Sequence, residues 1–157
     1  MSIYKQNDGP EIKVTIFVAD DEIQQVLLSE ASAFEWDIQG AKSELEDSIL
    51  EWLHQYSSGK QPNVILPVHL SSKPLFTHQL LCQLQKVSFG ESLTYKQLGE
   101  SLGNSKGFRA VGNACGRNPC PLFIPCHRIL AQNQKIGGFS QGIEIKCRLL
   151  RFEKILP

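Results

Sequence analysis

Several features are missing from the 157-residue sequence. Residues 1–81 contain no Cys, and the five Cys form no Cys-x-x-Cys pair, so a zinc ribbon or knuckle is not expected. Near the start, the longest apolar run covers only residues 16–19, which is too short to span a bilayer. The first ten residues are polar and lack a signal peptide's apolar segment. We therefore expect neither export nor membrane insertion, and free thiols in a reducing compartment.

Negative charge is scarce in the second half of the chain. Residues 74–157 contain no Asp and carry eleven Lys or Arg against four Glu, whereas residues 1–73 carry five Lys or Arg against twelve Asp or Glu. The two halves therefore have net charges of opposite sign that cancel. This segregation indicates a polyanionic partner for the basic half, most simply nucleic acid. On charge alone, a dipolar enzyme without such a partner fits equally well.

Hydrophobic periodicity predicts alternating strands and helices in residues 1–73. Residues 12–18 and 34–38 alternate apolar and polar side chains, which is typical of half-buried strands. The acidic run at residues 20–22 predicts an N-cap for a helix that carries Ile23, Val26 and Leu27. Residues 41–56 have helical spacing, and residues 63–66 favour a strand. This half shows no cluster of catalytic side chains.

The second half is predicted to be mostly helical. A helix is expected from Pro74 to about Val87, and Thr94 is expected to cap another, with Gln97 as its capping-box partner. A Gly-containing turn and a further helix over residues 109–114 follow, which is the spacing of a helix-turn-helix. A last helix begins near Ile143 with a regular apolar stripe. We place the boundary between two domains, 1–73 and 74–157, within residues 67–74.

The segment around Cys126 is a candidate nucleophilic site. Pro125 fixes the backbone before the Cys, and His127 and Arg128 follow it. A base or cation near a thiol makes it a better nucleophile. Adjacent side chains on an extended chain face opposite ways, so a Cys–His contact needs a bend or a bridging water. Glu153, on the flank of the last apolar stripe, is a candidate to orient His127. Spacing alone leaves open that Cys126 is a core residue and Glu153 a surface charge.

A resemblance to a known family adds to these observations. Residues 109–114, 118–119 and 125–128 resemble the active-site region of the O6-alkylguanine-DNA alkyltransferases. Residues 87–98 resemble the segment that precedes it, and residues 138–153 resemble its C-terminal segment. These motifs occur in order and in register over roughly residues 74–155. The resemblance implies a mixed α/β (α+β) fold, with a ribonuclease H-like sheet-and-helix N-terminal domain and a DNA-binding helix-turn-helix in the other.

The resemblance also implies a reaction. Cys126 would take an alkyl group from O6 of guanine and keep it as a thioether, so each protein would act once. His127 would accept the thiol proton through a water, and Glu153 would hold the His127 tautomer. Tyr95 would donate a hydrogen bond to guanine N3. The reaction would need no cofactor and no metal.

Further roles follow by position from the same resemblance. Arg109 would enter the base stack in place of a flipped guanine, from a helix in the minor groove. Ser140 and Phe139 would contact the base, and Asn118 would join the second helix to the Cys loop. The remaining candidates are for DNA contact: Ala110, Gly112, Lys106, Arg117 and Arg128. Arg128 has a structural ion pair as its alternative. The expected partner is double-stranded alkylated DNA, bound by a monomer in the cytoplasm of a bacterium or the nucleus of a eukaryote.

The sequence departs from the family pattern at several positions. Phe139 stands where many members have Tyr, and Gln141 lies in a loop that is usually richer in Gly, which leaves the pocket width open. Cys115 and Cys120 are outside the usual pattern and are interpreted as packing residues. Three alternative functions remain: a lesion-binding protein that lacks the acceptor Cys, a helix-turn-helix regulator and a Cys hydrolase. The presence of Cys126 argues against the first.

Overall fold

The computed structural model describes residues 8–103 and 107–157, together with the backbone of residues 2–6. Within these ranges the chain forms a four-stranded sheet, a two-stranded sheet and α-helices on both sides of the sequence midpoint. The strands are β1 Ser2–Gln6, β2 Ile12–Ala19, β3 Glu22–Glu30, β4 Phe34–Gln39, β5 Leu93–Thr94 and β6 Ile129–Leu130. The α-helices are α1 Ser43–Ser57, α2 Leu75–Leu84, α3 Tyr95–Ser101, α4 Phe108–Gly116 and α5 Ile143–Phe152. The expected mixed α/β composition is confirmed.

The larger sheet has the strand order β1-β4-β2-β3. β2 pairs antiparallel with β3 and parallel with β4, and β1 closes the other edge antiparallel to β4. Alternate β2 residues, such as Val14 and Ile16, are fully buried, and so is Phe34 on β4. The strands expected over residues 12–18 and 34–38 are therefore confirmed, as is the helix expected over residues 41–56.

The helix expected after residue 20 is wrong, because this segment is strand β3. Asp20 and Asp21 both have positive φ (53° and 58°) and form the tight turn of a hairpin, a conformation that Asp tolerates. The β2–β3 register shifts between Phe17 and Val18, which inserts an extra residue into β3. Because of this bulge, Ile23 and Val26 are both buried although they are three residues apart. That spacing imitates a helical stripe.

The strand expected over residues 63–66 is also wrong. This segment has no ladder partner, and Ile65 is 94% exposed. Pro62 and Pro67 flank the segment and supply no N–H group for pairing. Only Val68, just beyond it, makes an isolated bridge, to Ile23 of β3.

The outer edge of β3 is covered by loops rather than exposed to solvent. Its backbone N–H groups donate to acceptors from later parts of the chain: Ile23 N to Pro67 O (2.8 Å), Val26 N to Pro119 O (2.8 Å) and Leu28 N to Gln141 Oε1 (2.9 Å). An edge strand usually presents these donors to water or to another chain. Here they hold the sheet against one loop of the first half, through Pro67, and two loops of the second half, through Pro119 and Gln141.

The helices of the second half follow the sequence-based expectations. Thr94 caps α3 with the complete capping box: its hydroxyl accepts from Gln97 N (3.1 Å), and its own N–H donates to Gln97 Oε1 (2.9 Å). α4 covers the region expected for the second helix of the pair, and α5 begins at Ile143 as expected. The helix-turn-helix assignment stays a prediction, since part of the connection between α3 and α4 falls outside the described residues.

Aromatic side chains of α1 join the sheet to the second half. Tyr56 stacks on Trp52 and lies within 6.1 Å, between ring centroids, of Phe34 on β4 and 5.4 Å of Phe152 on α5. Trp52 packs edge-on against Phe123, just before the Cys126 segment (4.6 Å). Buried residues of both halves therefore form one hydrophobic cluster. The division at residues 73 and 74 and the ribonuclease H-like description stay predictions.

Among the residues that the structure describes, no helix is both long and apolar enough to cross a membrane.

Candidate active site

Cys126 begins a single turn of 3₁₀ helix that covers Cys126–Arg128. Asn118, at the end of α4, fixes the preceding loop: its Nδ2 donates to Ile124 O (2.8 Å), and its Oδ1 accepts from Cys120 N (3.0 Å). Asn118 therefore joins α4 to the Cys loop, in the arrangement that the resemblance implied. The turn supplies the bend that an extended chain would lack between Cys126 and His127.

The Cys126 thiol borders a cavity of about 390 Å³ while remaining only 6% exposed. Burial raises the pKa of this thiol to about 11, and the Asn118 amide and the Lys146 ammonium oppose that rise. The sulfur is therefore protonated at neutral pH. It needs a base before it can attack, and the next residue offers one.

His127 and Glu153 form a buried pair behind the thiol. His127 Nε2 hydrogen bonds to Glu153 Oε2, and both side chains are fully enclosed. Burial lowers the pKa of His127, while Glu153 opposes that change, so the ring is neutral at pH 7. The neighbouring His127 and Arg128 lower the pKa of Glu153 to about 2, against the effect of its burial. Since an ionised carboxylate only accepts, the ring proton lies on Nε2.

The other ring nitrogen, His127 Nδ1, is left as the free acceptor. It is buried and has no hydrogen-bond partner in the described part of the chain. A neutral imidazole with a free Nδ1 lone pair is the form that can take a proton. The predicted Glu153–His127 pairing is therefore present in the geometry.

The expected phosphate contact of Arg128 is wrong, and its alternative, a structural ion pair, is confirmed. Arg128 is 2% exposed, so its guanidinium does not reach the surface. Its Nε donates to Glu153 Oε1 (2.6 Å) and its Nη1 to Val87 O (2.6 Å). The positive charge of Arg128, which was expected to contact a phosphate, instead pairs with Glu153 inside the protein and keeps that carboxylate ionised.

Tyr56 is a site residue that the sequence analysis missed. Its hydroxyl donates to Glu153 Oε2 (2.8 Å) from α1, 97 positions earlier in the chain. Burial raises the pKa of Tyr56 well above its usual value, and Glu153 adds to the rise, so the phenol stays a donor. Because Tyr56 belongs to the apolar stripe of α1, its sequence position predicted a packing role only. The first half of the chain therefore supplies a polar group to the buried pair.

Pocket walls around Cys126 come from three segments. Tyr95, Phe139 and Ser140 line the same cavity as Cys126, so three of the expected substrate-contact residues are brought together. Tyr95 Oη donates a long hydrogen bond to Gly138 O (3.5 Å). Its pKa is raised first by burial and then by the neighbouring Cys sulfurs. Its phenol is therefore a proton donor at neutral pH.

The α4 wall of the cavity combines the Phe108 ring with a Gly-rich stretch. Gly112, Cys115 and Gly116 line it at helical spacing, and a Cβ at either Gly would meet nothing within 4 Å. Cys115 is a second thiol in the cavity, and burial raises its pKa to about 12. Its interpretation as a packing residue alone is therefore incomplete, since it forms part of the wall beside Cys126.

The expected DNA-contact residues lie on and around α4. Arg109, at its first turn, and Arg117, at its C-cap, are both exposed, and Ala110 is half-buried. Lys106 lies outside the described residues. Gly112 and Gly116, which border the cavity, lie on the same helix as exposed Arg109.

Lys146 is a second site residue, to which the sequence analysis gave no role. It is fully buried on α5, and its Nζ donates to Ile129 O (2.7 Å) and Gly138 O (3.0 Å). Burial lowers its pKa to about 8, and the nearby Cys126 and Cys115 oppose that change. Its position in the buried stripe of α5, at helical spacing from Leu149 and Glu153, was the signal that could have found it.

Sequence comparisons agree with this geometry. A family model described as the DNA binding domain of 6-O-methylguanine DNA methyltransferase matches residues 75–155. A methylated-DNA–protein-cysteine methyltransferase of Saccharolobus solfataricus is 40% identical over 113 residues, which cover 70% of this chain and 72% of the relative. A probable enzyme of the same name from Acanthamoeba polyphaga mimivirus is 40% identical over 106 residues, covering 67% and 70%.

Solved structures share the fold. The crystal structure of Mycobacterium tuberculosis OGT in complex with DNA superposes with a TM-score of 0.71 at 22% identity, covering 92% of both chains. An O6-methylguanine DNA methyltransferase from Methanococcus jannaschii gives a TM-score of 0.58 at 22% identity, covering 99% of this chain and 95% of the other.

Proposed function

The chain belongs to the 6-O-methylguanine DNA methyltransferase family, and from this premise we propose that Cys126 accepts a methyl group from O6 of guanine in double-stranded DNA. The observation that carries the proposal is the buried Glu153–His127 pair, with its free Nδ1, beside a thiol that borders a cavity. This set supplies a nucleophile, its base and the group that orients the base.

The transfer is a displacement at carbon. The sulfur attacks the methyl carbon as the bond from that carbon to O6 breaks, and the electrons of the broken bond stay on the guanine. The thiol proton passes through a water molecule to His127 Nδ1, and Glu153 stabilises the resulting imidazolium. Tyr95 protonates guanine N3, so the base leaves neutral, and the proton on His127 restores the phenol. Overall the thiol proton ends on guanine and the methyl group on sulfur.

The product explains why each chain acts once. A thioether between sulfur and methyl has no leaving group that water displaces under mild conditions, so Cys126 is consumed. No group outside the protein and the DNA has to be supplied or regenerated.

Access to the base requires its extrusion from the duplex. The reacting O6 is inside the base stack, and the Cys126 cavity is a recess behind α4. We assign Arg109, exposed at the first turn of α4, to the space that the extruded guanine leaves, since a planar guanidinium stacks on bases while its charge stays near phosphates. The small residues Ala110 and Gly112 allow a close approach of this helix to the minor groove.

The proposal is tested by measuring the conversion of O6-methylguanine to guanine in DNA. A duplex containing O6-methylguanine is incubated with the protein in excess, digested to nucleosides and analysed by chromatography. The wild-type chain should convert the lesion to guanine, Cys126→Ala should leave it unchanged, and Cys82→Ala, which removes a thiol remote from the cavity, should match the wild type. Conversion by Cys126→Ala, or no conversion by the wild type, would overturn the proposal.

A further inference from the structure

A short loop carries three of the cavity residues and is rich in Gly. Residues 137–142, called the substrate loop here, contain Phe139 and Ser140 between Gly residues, and Gly137 and Gly142 have φ of 71° and 104°. Gly imposes little conformational restriction on a backbone. The positions of Phe139 and Ser140 therefore depend on how the ends of this loop are held.

The first end of the substrate loop is held from inside its own half. Gly138 O accepts from Lys146 Nζ (3.0 Å) and from Tyr95 Oη (3.5 Å). Gly137 packs against the Tyr95 ring, where a Cβ would lie 3.1 Å from a ring carbon. This end is thereby tied to Tyr95, which borders the cavity, and to the buried Lys146.

The second end is held by the other half of the chain. Gln141 Oε1 accepts from the backbone N–H of Leu28 (2.9 Å), which belongs to the outer edge of β3. On the same edge, Val26 N donates to Pro119 O, next to Asn118 of the Cys loop. One strand edge thus contacts both loops that flank the cavity. Gln141 is the side chain that extends this contact to the substrate loop.

We infer that Gln141 is a positioning residue for the proposed methyl transfer, on which this inference rests. By linking the substrate loop to β3, it fixes Phe139 and Ser140 relative to Cys126 and gives the first half of the chain a part in setting the cavity. A Gly at this position would have no side chain to reach Leu28. Small misplacements around a reacting atom slow a reaction markedly, since the geometry must be close to that of attack.

The decisive comparison is between Gln141→Met and Gln141→Glu. Met keeps the length of the side chain but offers no oxygen to Leu28 N–H, whereas Glu keeps an acceptor oxygen at the same position. The rate of methyl transfer is measured at saturating duplex containing O6-methylguanine, and the Kd for that duplex separately. Gln141→Met should lower the saturated rate about tenfold, the equivalent of one lost hydrogen bond, with Kd within twofold of the wild type. Gln141→Glu should restore the rate to within about threefold.

Amide hydrogen exchange of Leu28 provides a readout that does not depend on the reaction. The Leu28 amide should exchange about tenfold faster in Gln141→Met than in the wild type or Gln141→Glu, while the melting temperatures stay close. Equal transfer rates in the wild type and Gln141→Met would overturn the inference, as would failure of Gln141→Glu to recover the rate. A wild-type chain that transfers no methyl, with Leu28 still protected, would instead show that the proposed function is wrong and with it the role assigned to Gln141.

Discussion

Protonation states of three neighbouring side chains determine what Cys126 does at neutral pH. The thiol, with a pKa of about 11, keeps its proton, the His127 ring is neutral, and Glu153, with a pKa of about 2, is ionised. Burial alone would keep the Cys126 thiol and the His127 ring neutral, but it would also favour the neutral form of Glu153. Arg128 and His127 together prevent that. A protonated nucleophile beside a neutral base is the starting state that general-base activation requires.

The pH dependence of methyl transfer tests the role of His127. Gln in its place keeps polarity but takes no proton, so His127→Gln should be about 10²- to 10⁴-fold slower at pH 7. Its rate should then rise about tenfold per pH unit toward pH 11, because the thiolate forms by direct ionisation. The wild type should vary much less above pH 6.5. A His127→Gln profile parallel to the wild type between pH 7 and 10 would remove His127 from the role of base.

Acid stability tests the ionised state of Glu153. Its pKa is about 2 in the folded chain against an ordinary 4.5, so its stabilisation is complete above pH 4.5 and is lost as the pH falls from 4.5 toward 2. His127, whose folded pKa is lowered, adds a loss that begins at its ordinary value of 6.5. Denaturant unfolding of the wild type and Glu153→Gln should diverge in slope below pH 4.5. The wild type should lose about 1.4 kcal/mol more per pH unit. Parallel curves would contradict the assignment.

The helices and strands position side chains that are distant in sequence next to one another. α1 brings Tyr56 to Glu153, and the C-terminal end of α5 brings Glu153 to the Cys126 turn. The bulged strand β3 presents its edge to both loops beside the cavity. Each of these contacts joins residues far apart in sequence, so the site depends on the packing of whole elements.

Removal of the Tyr56 hydroxyl tests the contribution of α1. Tyr56→Phe keeps the ring packing but removes a hydrogen bond to a charged, buried acceptor, so it should lower the free energy of unfolding by about 1.5–3 kcal/mol. Methyl transfer at pH 7 should change much less than in His127→Gln. The change is measured by urea denaturation, with Ser58→Ala on the exposed end of the same helix as control. A loss below about 0.5 kcal/mol would show that Glu153 is held without Tyr56.

The α4 helix is tested by comparing two substrates. Arg109→Ala should slow repair of duplex DNA roughly a hundredfold, matching the few kcal/mol that base extrusion costs, and should hardly change reaction with free O6-alkylguanine. Arg117→Ala removes an exposed charge at the other end of α4 and should weaken duplex binding without changing the saturated rate. Equal losses for Arg109→Ala on both substrates would exclude Arg109 from base extrusion.

Elements with a strong local signal were predictable from the sequence. The Thr94–Gln97 capping box and the apolar stripe of α5 depend only on residues close together in sequence, and both are present in the structure. β3 was not predictable, because its bulge places two buried residues, Ile23 and Val26, at helical spacing. In addition, two Asp residues that were expected to cap a helix adopt positive φ and form a hairpin turn. Pairing and register are set by the rest of the sheet.

At the scale of the whole molecule, the two halves of opposite charge share one core. The apolar cluster runs from the sheet through α1 to the helices of the second half. The first half carries a net negative charge and the second half, which contains α4, a net positive charge, and this favours contact of a polyanion with the second half. The acidic half also takes part in the site, through Tyr56 and the β3 edge.

The Cys126, His127 and Glu153 set could be proposed from sequence, because local residue types suggested it and a resemblance added to that evidence, whereas its supports could not. Tyr56 lies 97 positions from its partner Glu153, and Leu28 lies 113 positions from its partner Gln141, and no local pattern links such residues. Arg128 was assigned to phosphate contact because charge suggests the surface, and only the folded structure shows that Val87 and Glu153 enclose it.

Mass spectrometry of the protein after repair tests the central claim most directly. The chain is incubated with excess duplex containing O6-methylguanine, and its intact mass and its peptides are measured against the amount of guanine formed. We predict one methyl group per chain, located on the sulfur of Cys126, with repaired guanine reaching an equal amount and then no more. Methyl on another residue, or guanine that continues to form beyond one equivalent, would contradict the account.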